Sequence, residues 1–340
     1  MKKHVLTAVV AVGCIVLIGA CIWYSRIRHD PSYGNGALVA ELRGSIRARG
    51  ASEAARIFSE GLQGLSYAEL HNKLHALGQA LYIEDGFAGL VECGRFESSG
   101  CMHGAMIEAR LDQEIPDTQI AALCESGDSN FSRRDCAHGW GHALAYDAYG
   151  SITDLNAALK TCGIFGEHKM TQACEYGANM EWFMEMHDSD APDLNTIGNI
   201  HDPLWPCTSI ETSYRSACYF ALSADGWNVI GLRGHPFSDV AERLRADCDR
   251  IVDEKEKESC FNGIGHWLSL RPSFGIRGLH ETCVLMTKEP APQRACIESG
   301  IVWKYIHYGT ETGDEFCSDA ATTEAALCTD VTKLRERPYF

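Results

Sequence analysis

The sequence predicts an all-α protein: one N-terminal transmembrane helix, then about seven disulfide-stapled helical hairpins stacked as a solenoid or an α/α toroid. Three observations carry this reading. Residues 5–23 form an apolar run without a single charge. Fourteen of the 16 cysteines fall into evenly spaced pairs. No long stretch alternates apolar and polar residues between turn signals, as a half-buried strand would. The chain of 340 residues is 45% hydrophobic and 22% charged, which excludes a disordered polymer and allows a sizeable core. Its net charge of −16 argues against a nucleic-acid partner, which needs clustered Lys and Arg.

Residues 1–28 read as a signal anchor. Lys2 and Lys3 precede the apolar run, and its nineteen residues at about 1.5 Å each nearly span a bilayer core. Apolar residues continue through Ile22, Trp23 and Tyr24, and no small-residue cleavage site follows. The alternative is a lipoprotein signal: Ile18-Gly19-Ala20-Cys21 loosely resembles a lipobox, with Cys21 as the lipidated residue. Either way the membrane is the expected partner. Arg26 and Arg28 balance Lys2 and Lys3, so charge alone leaves the orientation open. Beyond Asp30 the chain carries −19, because the first thirty residues hold four Lys/Arg and one acid. Such a surface repels anionic lipid. Residues 29–64 read as a linker with one or two leading helices, clearest over SEAARIFSEGLQ. Residues 65–335 read as the repeat domain.

The cysteine pairs are Cys93/Cys101, Cys124/Cys136, Cys162/Cys174, Cys207/Cys218, Cys248/Cys260, Cys283/Cys296 and Cys317/Cys328. Their first members recur every 31–45 residues, the period of helical-hairpin repeats. The first cysteine closes a helix-like stretch, as in FSDVAERLRADC, and the second opens another, as in CFNGIGHWLSL. Polar stretches such as ESGDSNFSRRD and DRIVDEKEKES read as the loops between them. Zinc sites use shorter Cys spacings, so the pairs are expected to be disulfides. That places the domain in the periplasm or outside the cell. Glycine recurs three residues after the second cysteine, at Gly104, Gly139, Gly177 and Gly263, where a missing side chain would let helices approach closely. Trp182, Trp227, Trp267 and Trp303, seven to nine residues past a cysteine, are expected in the core.

The histidines follow the same register. A helix over 66–83, opened by a Ser66/Glu69 capping box, carries Leu70, Leu74, Leu77 and Leu81 on one stripe and His71, His75 and Tyr82 on another. His138, His142 and Tyr149 repeat the H-x₃-H-x₆-Y offsets after Cys136. His103 stands two residues past Cys101, matching His138, and His266 stands six past Cys260, matching His142. Equivalent positions of stacked repeats face one shared wall. His71, His75, His103, His138 and His142, with His266 arriving across a toroid, are therefore candidate ligands of a divalent transition metal on a concave wall. All-histidine ligation puts Zn or Cu ahead of Fe. Tyr82 and Tyr149 are candidate catalytic proton donors. The expected activity is that of a metal-dependent hydrolase or oxidase acting on a small molecule or peptide in the groove. The alternative is a non-catalytic scaffold that binds a peptide, glycan or partner protein there. No nucleophile elbow, phosphate-binding loop, dinucleotide fingerprint or H-E-x-x-H motif is present.

Overall fold

The computed structural model describes residues 35–65, 67–96, 99–112, 115–127, 130–146, 148, 151–185, 202–224, 235–271, 275–317 and 328. Among the described residues there are 13 α-helices, short 3₁₀ segments and no strand. The helices are α1 (Gly36–Arg49), α2 (Ala51–Glu60), α3 (Tyr67–Asp85), α4 (Gly100–Leu111), α5 (Asp117–Glu125), α6 (Asn130–Ala145) and α7 (Ile152–Thr161). They continue with α8 (His168–Glu185), α9 (Arg215–Ala224), α10 (Phe237–Asp249), α11 (Glu254–Ser269), α12 (Ile276–Met286) and α13 (Pro290–Cys317). The anchor expected over 1–28, with Cys21, lies outside the described residues. Among the described residues no helix is long and apolar enough to cross a membrane.

All seven cysteine pairs form the disulfides that their spacing predicts, with Cα–Cα separations of 5.3–6.1 Å. The hairpins differ from expectation in one respect. Cys136, Cys174, Cys260 and Cys296 do not open their helices: each stands six residues after the first helical residue. Much of what reads as loop, such as EKEKES before Cys260, is the first turns of a helix. The reason is local. Asp253 accepts the N–H of Glu256 at 3.0 Å as an N-cap, and Glu254 and Glu256 oppose the positive end of the helix dipole. Cys93 differs too, lying in the 3₁₀ segment Gly86–Arg95.

Helices α3, α4, α6, α8, α9, α11 and α13 pack each against the next along the chain. The intervening helices α5, α7, α10 and α12 pack on this row, α5 and α7 on α6, α10 on α11 and α12 on α13. At the front, α1 packs on α3, where Arg43 and Arg47 both hold Glu84 at 2.6 Å. Leu74, Leu77 and Leu81 of α3 are fully buried, as their stripe predicts. Trp182, Trp267 and Trp303 are core residues, while Trp227 and Ser66 lie outside the described residues.

Glycine sets how close the row can pack. A Cβ on Gly104 of α4 would lie 2.0 Å from the carbonyl oxygen of His75 on α3, and one on Gly177 of α8 would lie 2.1 Å from that of His138 on α6. Gly78 and Gly141 make the reciprocal approaches, to the carbonyls of Cys101 and Cys174. Gly263 meets Phe220 in the same way, whereas Gly139 sits more loosely over Met102. The backbones that carry the histidines thus touch with no side chain between them.

Candidate metal centre

His71 and His75 come from α3, His103 from α4, and His138 and His142 from α6. Because α4 stands between α3 and α6 in the row, its one imidazole is within reach of both pairs. The structure brings these five rings together. Neighbouring centroids are 4.0–5.2 Å apart, the closest being His103 and His142. Two groups can each hold a metal ion: His71, His75 and His103, and His103, His138 and His142, with ligand nitrogens within 4.8 Å of one another. His103 belongs to both.

The five rings do not line an open surface. They are between 0% and 7% exposed, which makes this a buried centre. Burial holds all five below the ordinary imidazole range, because a charged ring would lose its hydration. Burial, and then the nearby His142, pushes His71 down to about 3, and burial alone pushes His142 down to about 3. His75, His103 and His138 are lowered by burial first and by neighbouring imidazoles second. Neutral rings keep their lone pairs available to a metal.

Hydrogen bonds fix how those lone pairs point. His138 donates its Nδ1–H to the carbonyl of Ala173 at 3.2 Å. His142 donates its Nδ1–H to the carboxylate of Glu181, fully buried on α8, at 2.6 Å. With both Nδ1 atoms protonated, the two Nε2 atoms carry lone pairs, and they face each other at 3.2 Å. Only a cation between them, a metal ion or a proton, relieves that opposition. Two nitrogens bound at about 2.0–2.1 Å to a tetrahedral ion would stand a little over 3 Å apart, which the observed spacing matches. The Nε2 atoms of His71 and His75 converge in the same way, at 3.1 Å.

Glu181 is a residue that sequence reasoning missed. A carboxylate that orients a ligating imidazole is a recurrent feature of metal sites. Its one signal in the sequence is an acid inside the apolar stretch ANMEWF.

His266 is not brought to the five. Its Nδ1 is 3.4 Å from the hydroxyl of Tyr176, and its ring lies 4.2 Å from Trp303 and 5.9 Å from Phe220. Tyr176 fills on α8 the slot that histidine fills on α4 and α6, with its ring 4.8 Å from His138. The two clusters are thus joined through one tyrosine. Tyr82 is placed elsewhere: its hydroxyl donates to Asp112 at 3.2 Å and its ring meets Phe87. Burial, and then Asp112, pushes that phenol up to about 12. Tyr149 lies outside the described residues.

Among the described residues, fold and site define a disulfide-stapled, helical protein with two buried histidine triads that share one member. Neither family models nor curated proteins nor solved structures give a match to this chain.

Proposed function

We propose that this is a membrane-tethered, extracytoplasmic metalloprotein, a solenoid of stapled hairpins that holds a transition metal on His71, His75, His103, His138 and His142. The observation that carries the reading is the pair of Nε2 lone pairs of His138 and His142, turned toward each other by Ala173 and Glu181. The sequential packing of each inner helix on the next supports the solenoid. The seven disulfides support an oxidising compartment, and the apolar run of residues 5–23 supports the tether.

Copper comes first among the metals and zinc next, because imidazole suits both and copper stands highest in intrinsic affinity. A hydrolytic site needs an open position that water and a sizeable substrate can reach. Rings this deeply buried favour instead a centre that exchanges electrons or admits a molecule as small as dioxygen. The reading is therefore oxidase-like rather than hydrolytic.

Elemental analysis of the exported, oxidised protein tests it. Bound metal is expected in the wild type and a clear loss in His71→Ala and His138→Ala. A metal-free wild type, or unchanged metal in both variants, overturns the reading and leaves a binding scaffold.

A further inference from the structure

His103 is fully buried, and neither of its ring nitrogens has a hydrogen-bond partner. A neutral imidazole carries one N–H and one lone pair, so either tautomer leaves a buried donor and a buried acceptor unmet. Such groups are costly in a packed interior and are rarely left so without a reason. His138 and His142 do not share this condition: each commits Nδ1 to an acceptor and turns only Nε2 inward. His103 also belongs to both triads, one toward α3 and one toward α6.

We propose that His103 is a bridging imidazolate between two metal ions. One ion is held by His71, His75 and one nitrogen of His103, and the other by His138, His142 and the second nitrogen. This rests on the metal-centre reading above and goes beyond it in the number of ions and in their coupling. The chemistry balances without any redox step. The first ion takes the lone pair of neutral His103. When the second metal–nitrogen bond forms, the remaining N–H proton leaves to solvent and the oxidation states of both ions are unchanged. The two unmet ring atoms become two ligand atoms. An aromatic bridge of this kind also links the spins of two paramagnetic ions.

The test uses the full-length oxidised protein, stripped with a chelator and titrated with Cu(II). Metal stoichiometry and low-temperature electron paramagnetic resonance are read together. Two copper ions per chain are expected, with the integrated spin signal lost when both positions are filled. His103→Gln removes the bridge and leaves the pairs on α3 and α6, so it is expected to regain the spin signal of independent ions at weaker affinity. The wild-type measurement decides the matter even where that variant does not fold. A single copper ion, or two ions with undiminished spin signal, overturns the bridge and leaves the metal centre standing. Absence of copper binding overturns both.

Discussion

Glu181 has no exposed surface, and in the site it accepts the Nδ1–H of His142. Its replacement by Gln keeps the shape and an acceptor but removes the charge that makes His142 a stronger base. Metal affinity in Glu181→Gln is expected to fall by about tenfold. Competition against a chromogenic chelator measures this, and an unchanged affinity would remove the orienting role. The imidazoles also set a pH dependence for the metal-free protein. An unfolded chain takes protons near pH 6.5, whereas folded His71 takes one only at about 3. Below 6.5 the unfolded state therefore binds more protons, and stability falls as pH falls, down to about 3. The slope is about 1.4 kcal/mol per pH unit for each such histidine. Urea midpoints of stripped protein at pH 7 and pH 5 should show this loss, and equal midpoints would mean that the rings are hydrated. The H-x₃-H pairs were legible in the sequence because their spacing is that of one helix face. Glu181 was not, since 39 residues separate it from His142 and nothing local ties the two together.

At the scale of the element, glycine contacts correct the register that the histidines suggest. The repeated H-x₃-H-x₆-Y pattern aligns His71 with His138. The backbone approaches instead equate His75 with His138: Gly104 lies over the first and Gly177 over the second, and Gly78 and Gly141 stand three residues further on. The second histidine of the α3 pair is thus one turn before the equivalent point in the α6 pair. His103 stands level with the stretch between the two histidines of each pair, since Gly100 and Gly104 meet the carbonyls of His71 and His75 and Gly139 lies over Met102. Sequence offsets within a helix could not show this shift, because register between helices is set by which backbones touch. The same glycines yield a prediction with its own control. Gly104→Ala drives a methyl group into the His75 carbonyl and is expected to cost about 1–3 kcal/mol, with weaker metal binding. Gly44→Ala, in α1 with open space around it, is expected to gain up to about 1 kcal/mol from helix propensity. Denaturant midpoints compare the two, and equal effects would show that the close approach does not govern packing.

For the whole molecule, the disulfides determine in which compartment the centre can exist. Each closes a loop of 8–13 residues, so each ties only neighbouring elements, and the fold is stapled locally along the row. A closure of this length contributes on the order of 2–3 kcal/mol by restricting the unfolded chain. A domain's net stability is only about 5–15 kcal/mol, so losing all seven at once leaves little to hold the row. The cysteine period made the staples legible from sequence. The burial of the histidine face was less so, because it is closed by the packing of α3, α4 and α6 on one another, and these helices come from separate parts of the chain. Denatured but unreduced protein should therefore show no more than two free thiols, since 14 of 16 cysteines are paired and only Cys14 and Cys21 remain. Reduction should release the metal and abolish the cooperative unfolding transition together, because the first two staples tie down α4 and α6, which carry three of the five histidines, and the third ties down α8, which carries Glu181. Chain made in a reducing cytoplasm should bind no metal until it is oxidised. Full metal binding by the reduced chain would mean that packing alone assembles the centre and that the staples serve another purpose.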